Sequence, residues 1–277
     1  MRVPTMDILI NVLITLVVLI LIYLFMVAPR MIKRVDRTPF YGRHYAHRGL
    51  FDNDSDAPEN SLAAFKKAVD AGYGIELDVQ LSKDDKLVVF HDATLKRMCG
   101  IEGKVWDYTL EELQQMKLAN SNETIPTFEQ FLEVVDGKVP FILEYKLDRA
   151  QTRVCELANE VLKNYKGVYC IESFHPLALI WYRKNRPDVL RGQLCEEFFR
   201  NERYKGKVLY MLLPYLPFNF LTRPDFVAYS HEHAHNISRR ICKAMGGLSV
   251  AYTIKSVEEY EAAKDKFELF IFDSCIL

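Results

Sequence analysis

Hydrophobic positions in this chain fall into one unbroken run followed by a long alternation. Residues 8–28 read ILINVLITLVVLILIYLFMVA, with no charge, glycine or proline, and only Asn11 and Thr15 clearly polar. As a helix this run would span roughly 30 Å, the thickness of a bilayer's hydrocarbon core, which predicts one transmembrane helix. A cleavable signal peptide is the alternative, but its apolar stretch is about 7–15 residues and ends at a small-residue cleavage site. Pro29-Arg30-Met31 is a poor site of that kind. Further on, short apolar runs alternate with amphipathic stretches. The pattern predicts strands at 43–47, 74–80, 139–146, 168–173, 189–194, 208–212, 225–230, 248–253 and 268–272. It predicts helices at 61–71, 109–117, 127–135, 149–164, 176–185, 235–244 and 256–265. In the first of these Ser61 or Asn60 can cap the N-terminus, Leu62, Phe65 and Val69 share a face, and Gly72 ends the helix. In the last, Glu258 and Glu259 occupy the first turn, where the helix dipole favours negative charge.

Alternating strands and helices imply a parallel sheet covered by helices. About eight such units in roughly 235 residues is the size of a TIM (β/α)8 barrel. An open doubly wound sheet is the competing α/β architecture, but no GxGxxG or Walker loop follows the first strand. The expected organisation is a transmembrane anchor at 1–29, a basic linker at 30–42 and a barrel domain at 43–277. Apolar residues make up 49% of the chain, enough for a substantial core, and the net charge of −1 argues against a nucleic-acid partner. The six cysteines include no CxxC pair, fit neither a zinc site nor a disulfide framework, and suit a reducing compartment. Arg30, Lys33, Arg34 and Arg37 follow the apolar run, whereas Arg2 and Asp7 precede it. This bias places the globular part on the cytoplasmic side of the cell membrane, single-pass and close to anionic headgroups.

Strand periodicity also sorts the candidate chemistry. In residues 74–80, Ile75, Leu77 and Val79 point one way, toward covering helices, and Glu76, Asp78 and Gln80 point the other way, into the barrel. Glu144 and Lys146 share a face in the same manner, opposite Leu143 and Tyr145. Buried carboxylates of like charge repel, and a hard divalent cation, Mg²⁺ or Ca²⁺, would relieve them. Internal ion pairing, such as Glu144 with Lys146, is the other solution. His47 and His91 each end an extended run where a loop begins, the usual place for catalytic groups in a barrel. Histidine titrates near neutrality, so the two can act as general acid and base. Arg48 could grip a phosphate oxygen in a forked geometry, and Lys146 could do so as a point charge. Two histidines, three carboxylates, an arginine and a lysine make an inventory for metal-assisted cleavage of a phosphate ester.

These residues carry a resemblance. His47-Arg48-Gly49, Ala57-Pro58-Glu59-Asn60-Ser61, Ala64-Phe65, Glu76-Leu77-Asp78-Val79-Gln80 and Leu87 through Asp92 resemble the signature of the glycerophosphodiester phosphodiesterase family, within the phospholipase-C-like phosphodiesterase superfamily. Gly103 through Asp107, Ile125-Pro126-Thr127, Glu144-Tyr145-Lys146 and Ser173-Phe174-His175-Pro176 continue it in order. The resemblance implies a TIM barrel, His47 and His91 as the acid/base pair, and Glu76, Asp78 and Glu144 as ligands of one divalent cation. It implies that Arg48 and Lys146 hold the phosphate and that Glu59 and Asn60 shape the site. The implied reaction is hydrolysis of glycerophosphodiesters to an alcohol and glycerol 3-phosphate, with lysophospholipids or glycerol-phosphate polymers as alternative substrates. A catalytically idle, membrane-tethered headgroup-binding protein is the rival from another class. The last third departs from the pattern: Tyr252 stands where the family has a tryptophan, Lys255 replaces an amide, and the closing motif is reduced to Phe272-Asp273-Ser274. His231, His233 and His235 form either a metal cluster or a polar loop, and the apolar stretch 209–226 is either core or a surface resting on the bilayer.

Overall fold

The structure, a computed structural model, describes residues 4–147, 151–197 and 211–277. Strands β1 (Tyr45–His47), β2 (Gly74–Leu81), β4 (Phe141–Tyr145), β5 (Tyr169–Ser173), β6 (Arg191–Cys195), β7 (Phe226–Ser230), β8 (Leu248–Ile254) and β9 (Leu269–Phe272) pair in parallel, each with the next. β1 pairs with both β2 and β9, so the sheet closes into the TIM barrel that the alternation predicts. The hairpin strand β3 (Leu87–Val89) lies antiparallel to β2, outside the ring. The predicted strand 208–212 falls largely outside the described residues, and Met211 and Leu212 are helical.

Capping explains where the covering helices begin. Ser61 accepts from Ala64 N at the start of Leu62–Asp70, and Thr127 accepts from Gln130 N at the start of Phe128–Val135. The predicted helix 109–117 stops at Leu113, because Met116 and Leu118 turn inward with Val88, Phe90 and Leu113 to form a side core beneath the β2–β4 excursion. Ile75, Leu77 and Val79 pack outward against Phe65, Phe131 and Ala68, as their period of two requires. Inside the barrel, Tyr45, Ile142, Cys170, Ala228, Val250 and Ile271 fill the lower layer, and Phe40 plugs the floor. Gly192 sits there because a Cβ would overlap the ring of Phe226.

The N-terminal helix, Pro4–Val27, carries an apolar span at Met6–Val27 with mean hydropathy 3.1. Its last turn is not free. Tyr23 and Ser238 share a hydroxyl hydrogen bond of 2.6 Å, Asn219 donates to Val27 O, and Arg223 donates to Phe25 O and Ala28 O. Arg30 continues onto the floor through Pro187 O and Asp225, and Arg34 and Arg37 donate to Met245 O and Gly246 O. The basic linker is therefore clipped to the barrel floor.

Candidate active site

The upper layer of the barrel, at the carboxyl ends of the strands, is polar. β2 delivers Glu76 and Asp78 inward, and β4 delivers Glu144 opposite Asp78 in register. All three carboxylates are buried, and one oxygen from each lies within 4.8 Å of the other two. Oxygens that share an ion at about 2.0–2.6 Å can be no more than about 5 Å apart, so this cluster fits one divalent cation. Lys146 follows β4 and bridges two of the acids, with Nζ 2.9 Å from Asp78 and 2.6 Å from Glu144. Burial alone would lower the ammonium's pKa, but the two carboxylates outweigh that and raise it. Both solutions open at the level of sequence are thus present, an ion pair and a carboxylate cluster, and the ion pair does not exhaust the charge.

A further carboxylate makes this clear. Glu172 on β5 stands beside Glu144 in the ladder, fully buried, with Oε2 lacking any hydrogen bond. Glu76, Asp78, Glu144 and Glu172 thus face Arg48 and Lys146, while Arg48 is shared with Glu59. Burial, then the neighbouring Asp78 and Glu144, push Glu76 well above the usual carboxylate range; burial, then Glu76 and Glu144, do the same to Glu172. The excess negative charge and the hard oxygen donors suit Mg²⁺ or Ca²⁺. The sequence reading missed Glu172, although the same alternation that singled out Glu76 and Asp78 would have put it inside.

The two histidines line the same cavity of about 290 Å³, together with Arg48, Glu76, Glu144, Glu172, Phe174, Glu196 and Tyr252. His47 has its Nδ1 2.8 Å from Asp273 Oδ2 and its Nε2 3.9 Å from Glu76. Burial and then the charge of Arg48 lower its pKa, against the opposing pull of Asp273. His91 is oriented in the same way, with Nδ1 2.6 Å from Asp92 Oδ1. Neither aspartate was assigned a role from sequence, and Asp273 entered only as the remnant of a shortened motif.

Arg48 adopts a left-handed backbone, φ 56°, as does Asn60, φ 57°. Such a conformation costs about 1–3 kcal/mol for a residue with a side chain and persists only where its surroundings over-determine it. Here Arg48 N donates to Glu76 O, Asn60 N donates to Arg48 O, and Asn60 Nδ2 donates to Asp78 Oδ2. Glu59 ties the loop down through Arg48, Arg97 and Asn53. Burial would raise the Glu59 pKa, but Arg97 and Arg48 bring it down to about 2. Tyr252 donates to Cys195 O and meets Phe174 edge to face, closing the cavity wall between β6 and β8. His231 and His233 turn to separate partners, Glu259 and Glu197, and do not join in a cluster.

A closed eight-stranded parallel barrel with an acidic, cation-attracting centre between two imidazoles defines the class. A model described as the glycerophosphoryl diester phosphodiesterase family matches residues 47–259, and the chain belongs to that family. A glycerophosphodiester phosphodiesterase of Bacillus altitudinis is 35% identical over 157 residues, covering 52% of this chain and 63% of the relative. A lysophospholipase D of Rattus norvegicus is 28% identical over 157 residues, 52% of this chain and 48% of the relative. The chain therefore spans about half to two-thirds of the length of these relatives. The crystal structure of a glycerophosphodiester phosphodiesterase from Thermotoga maritima superposes with a TM-score of 0.63 at 26% identity, covering 84% of this chain and 96% of that one.

Proposed function

We propose that the protein hydrolyses glycerophosphodiesters to an alcohol and glycerol 3-phosphate, using His47 and His91 as acid and base beside a divalent cation held by Glu76, Asp78 and Glu144. The observation that carries this reading is the cluster of three buried carboxylates, two of which, Glu76 and Glu144, line one cavity with both histidines. The cation, Mg²⁺ or Ca²⁺, supplies Lewis acidity toward a phosphoryl oxygen and the substrate hydroxyl. Arg48 and Lys146 hold the phosphate by charge-assisted hydrogen bonds. His47, whose pKa burial and Arg48 lower, takes the proton of the glycerol 2-hydroxyl as that oxygen bonds to phosphorus. The bond from phosphorus to the departing alcohol breaks, and His91 gives that oxygen its proton. Water then opens the cyclic phosphate with the roles reversed. Asp273 and Asp92 fix the Nδ1 side of each ring and so leave Nε2 for the substrate.

The test is release of glycerol 3-phosphate from glycerophosphocholine by the full chain in detergent. EDTA is expected to abolish it and Mg²⁺ or Ca²⁺ to restore it. His47→Ala and His91→Ala should each lower turnover by about 10²–10⁴-fold. A chelator-insensitive enzyme, or near-normal turnover in either variant, overturns the assignment.

In the same proposal the N-terminal helix is a retained anchor and not a signal peptide. Val27 and Ala28 are buried against the barrel, and cleavage near them would remove partners of Asn219, Arg223 and Ser238. The flanking-charge bias supports a cytoplasmic barrel at the cell membrane. The organisation that follows is an anchor at 1–29 whose last turn docks on the barrel wall, a linker at 30–42 clipped to the floor, and a catalytic barrel at 43–277.

A further inference from the structure

We infer that the catalytic mouth of the barrel faces the bilayer and that its β6–β7 rim docks on the lipid surface. The inference rests on the N-terminal helix being a membrane anchor, and it adds the direction in which the enzyme points.

The direction follows from the order of contacts along the last turns of that helix. In a parallel barrel, each helix after a strand starts at the catalytic rim and ends at the floor. Ser238 is the second residue of the helix Ile237–Ala244, just below the rim, and Tyr23 bonds to it. Asn219 and Arg223, which lead down into β7, hold Val27 O, Phe25 O and Ala28 O. Arg30 N donates to Pro224 O, immediately before β7 begins, and Arg34 and Arg37 reach the turn before β8. From Tyr23 to Arg37 the chain thus descends from rim to floor, antiparallel to the strands. Extended the other way, the span below residue 23 leaves the wall at the rim and rises on the side where the strands end. At 1.5 Å per residue, residues 6–22 carry it roughly 25 Å beyond. The bilayer that accepts this span lies over the mouth.

The rim beside the helix is made for such a neighbour. Met211, Leu212, Tyr215 and Ile237 are 51%, 52%, 43% and 50% exposed. They are held at the upper ends of β6 and β7, where Cys195 Sγ lies 3.4 Å from Leu213 O and Tyr229 donates to Pro214 O. Pro214 and Leu216 between them are buried. Within the stretch that was open at the level of sequence, core or bilayer contact, residues 211–216 divide one by one: Pro214 and Leu216 anchor the segment, and Met211, Leu212 and Tyr215 face out. Ile237 stands next to Ser238, the partner of Tyr23, so the exposed patch begins beside the span, and such side chains partition into the headgroup–acyl boundary. Arg30, Arg34 and Arg37, expected from sequence near headgroups, occupy the floor at the opposite end. A mouth so placed takes phosphodiesters presented at the bilayer surface, which favours lysophospholipids carrying one acyl chain over fully deacylated, soluble diesters.

The experiment uses the full chain in phosphatidylcholine nanodiscs with brominated acyl chains. Tryptophan is introduced singly at Leu212, at Ile237 and, on the floor end of the helix Pro176–Asn185, at Lys184. The parent spectrum is subtracted to remove Trp106 and Trp181. Bromolipid should quench Leu212→Trp and Ile237→Trp and leave Lys184→Trp unchanged. The reverse pattern, or equal quenching of all three, overturns the orientation while leaving the anchor intact. A chain that fails to enter nanodiscs overturns the anchor itself, and the two failures are distinguishable. As a second readout, Leu212→Glu/Ile237→Glu should lower turnover of lysophosphatidylcholine in vesicles by about tenfold and leave that of soluble glycerophosphocholine unchanged. Equal loss on both substrates, or no loss on either, contradicts the docking surface.

Discussion

Glu59→Gln is the most informative single substitution outside the carboxylate cluster, because its effect can be worked out from the contacts. The Glu59 carboxylate accepts from Arg48 Nη1 at 2.8 Å, from Arg97 at 2.7 Å through each terminal nitrogen, and from Asn53 at 3.2 Å. These partners more than offset burial and bring its pKa from 4.5 to about 2. At 1.36 kcal/mol per unit, the ionised form contributes about 3 kcal/mol of stability. The folded pKa is depressed, so this contribution is complete above the unfolded pKa and disappears as pH falls through the folded one. Glutamine keeps the shape and removes the charge. It leaves Arg97 with Asp92 and Arg48 with only the 3.5 Å approach to Asp78. Urea unfolding of the barrel in detergent should show Glu59→Gln about 3 kcal/mol less stable at pH 7, with the gap from wild type narrowing between about pH 4.5 and pH 2. Turnover should fall as well, since Arg48 loses the partner that fixes it over the cluster. A gap under about 0.5 kcal/mol, the ordinary range for a surface substitution, would refute the reasoning, as would a gap independent of pH.

Asp273→Asn should lower kcat by about 10²-fold with little change in the unfolding midpoint, because it disturbs the Nδ1 partner of His47 and not the fold; an unaltered kcat would show that Asp273 does not position the ring. Phe131→Ala should destabilise the barrel by about 3–5 kcal/mol in the same urea assay, since the ring is fully buried edge-on to Phe65 and Phe141. Gly192→Val should fail to fold or unfold at much lower urea, because its Cβ would collide with the ring of Phe226 inside the closed sheet, and a stable variant would contradict that packing.

Much of this architecture is legible from local pattern. The period of two separates Ile75, Leu77 and Val79 from Glu76 and Asp78, and the two sets do go to opposite faces of β2. Caps such as Ser61 and Thr127 fix helix starts from a few neighbouring residues. What was not legible depends on closure. Asp273 meets His47 across 226 residues only because β9 returns beside β1, and no spacing rule connects them. The orientation of the N-terminal helix was hidden for a related reason. Residues 23–28 read as more of the same apolar span, and only the positions of Ser238, Asn219 and Arg223 in the barrel wall reveal that this last turn belongs to the domain. Glu172 was within reach of the alternation rule, but its strand, Tyr169–Ser173, carries a single inward acid and so lacked the paired carboxylates that drew attention to β2.

The central claim is that Glu76, Asp78 and Glu144 share one cation beside both imidazoles. The most direct measurement is an anomalous difference map from crystals of the chain soaked in Mn²⁺, which takes the oxygen ligands of Mg²⁺ or Ca²⁺ sites. The account predicts one strong peak within about 2.6 Å of an oxygen from each of the three carboxylates. A map with no peak there, Arg48 and Lys146 remaining as the counter-charges, or a peak held by other residues, would contradict it.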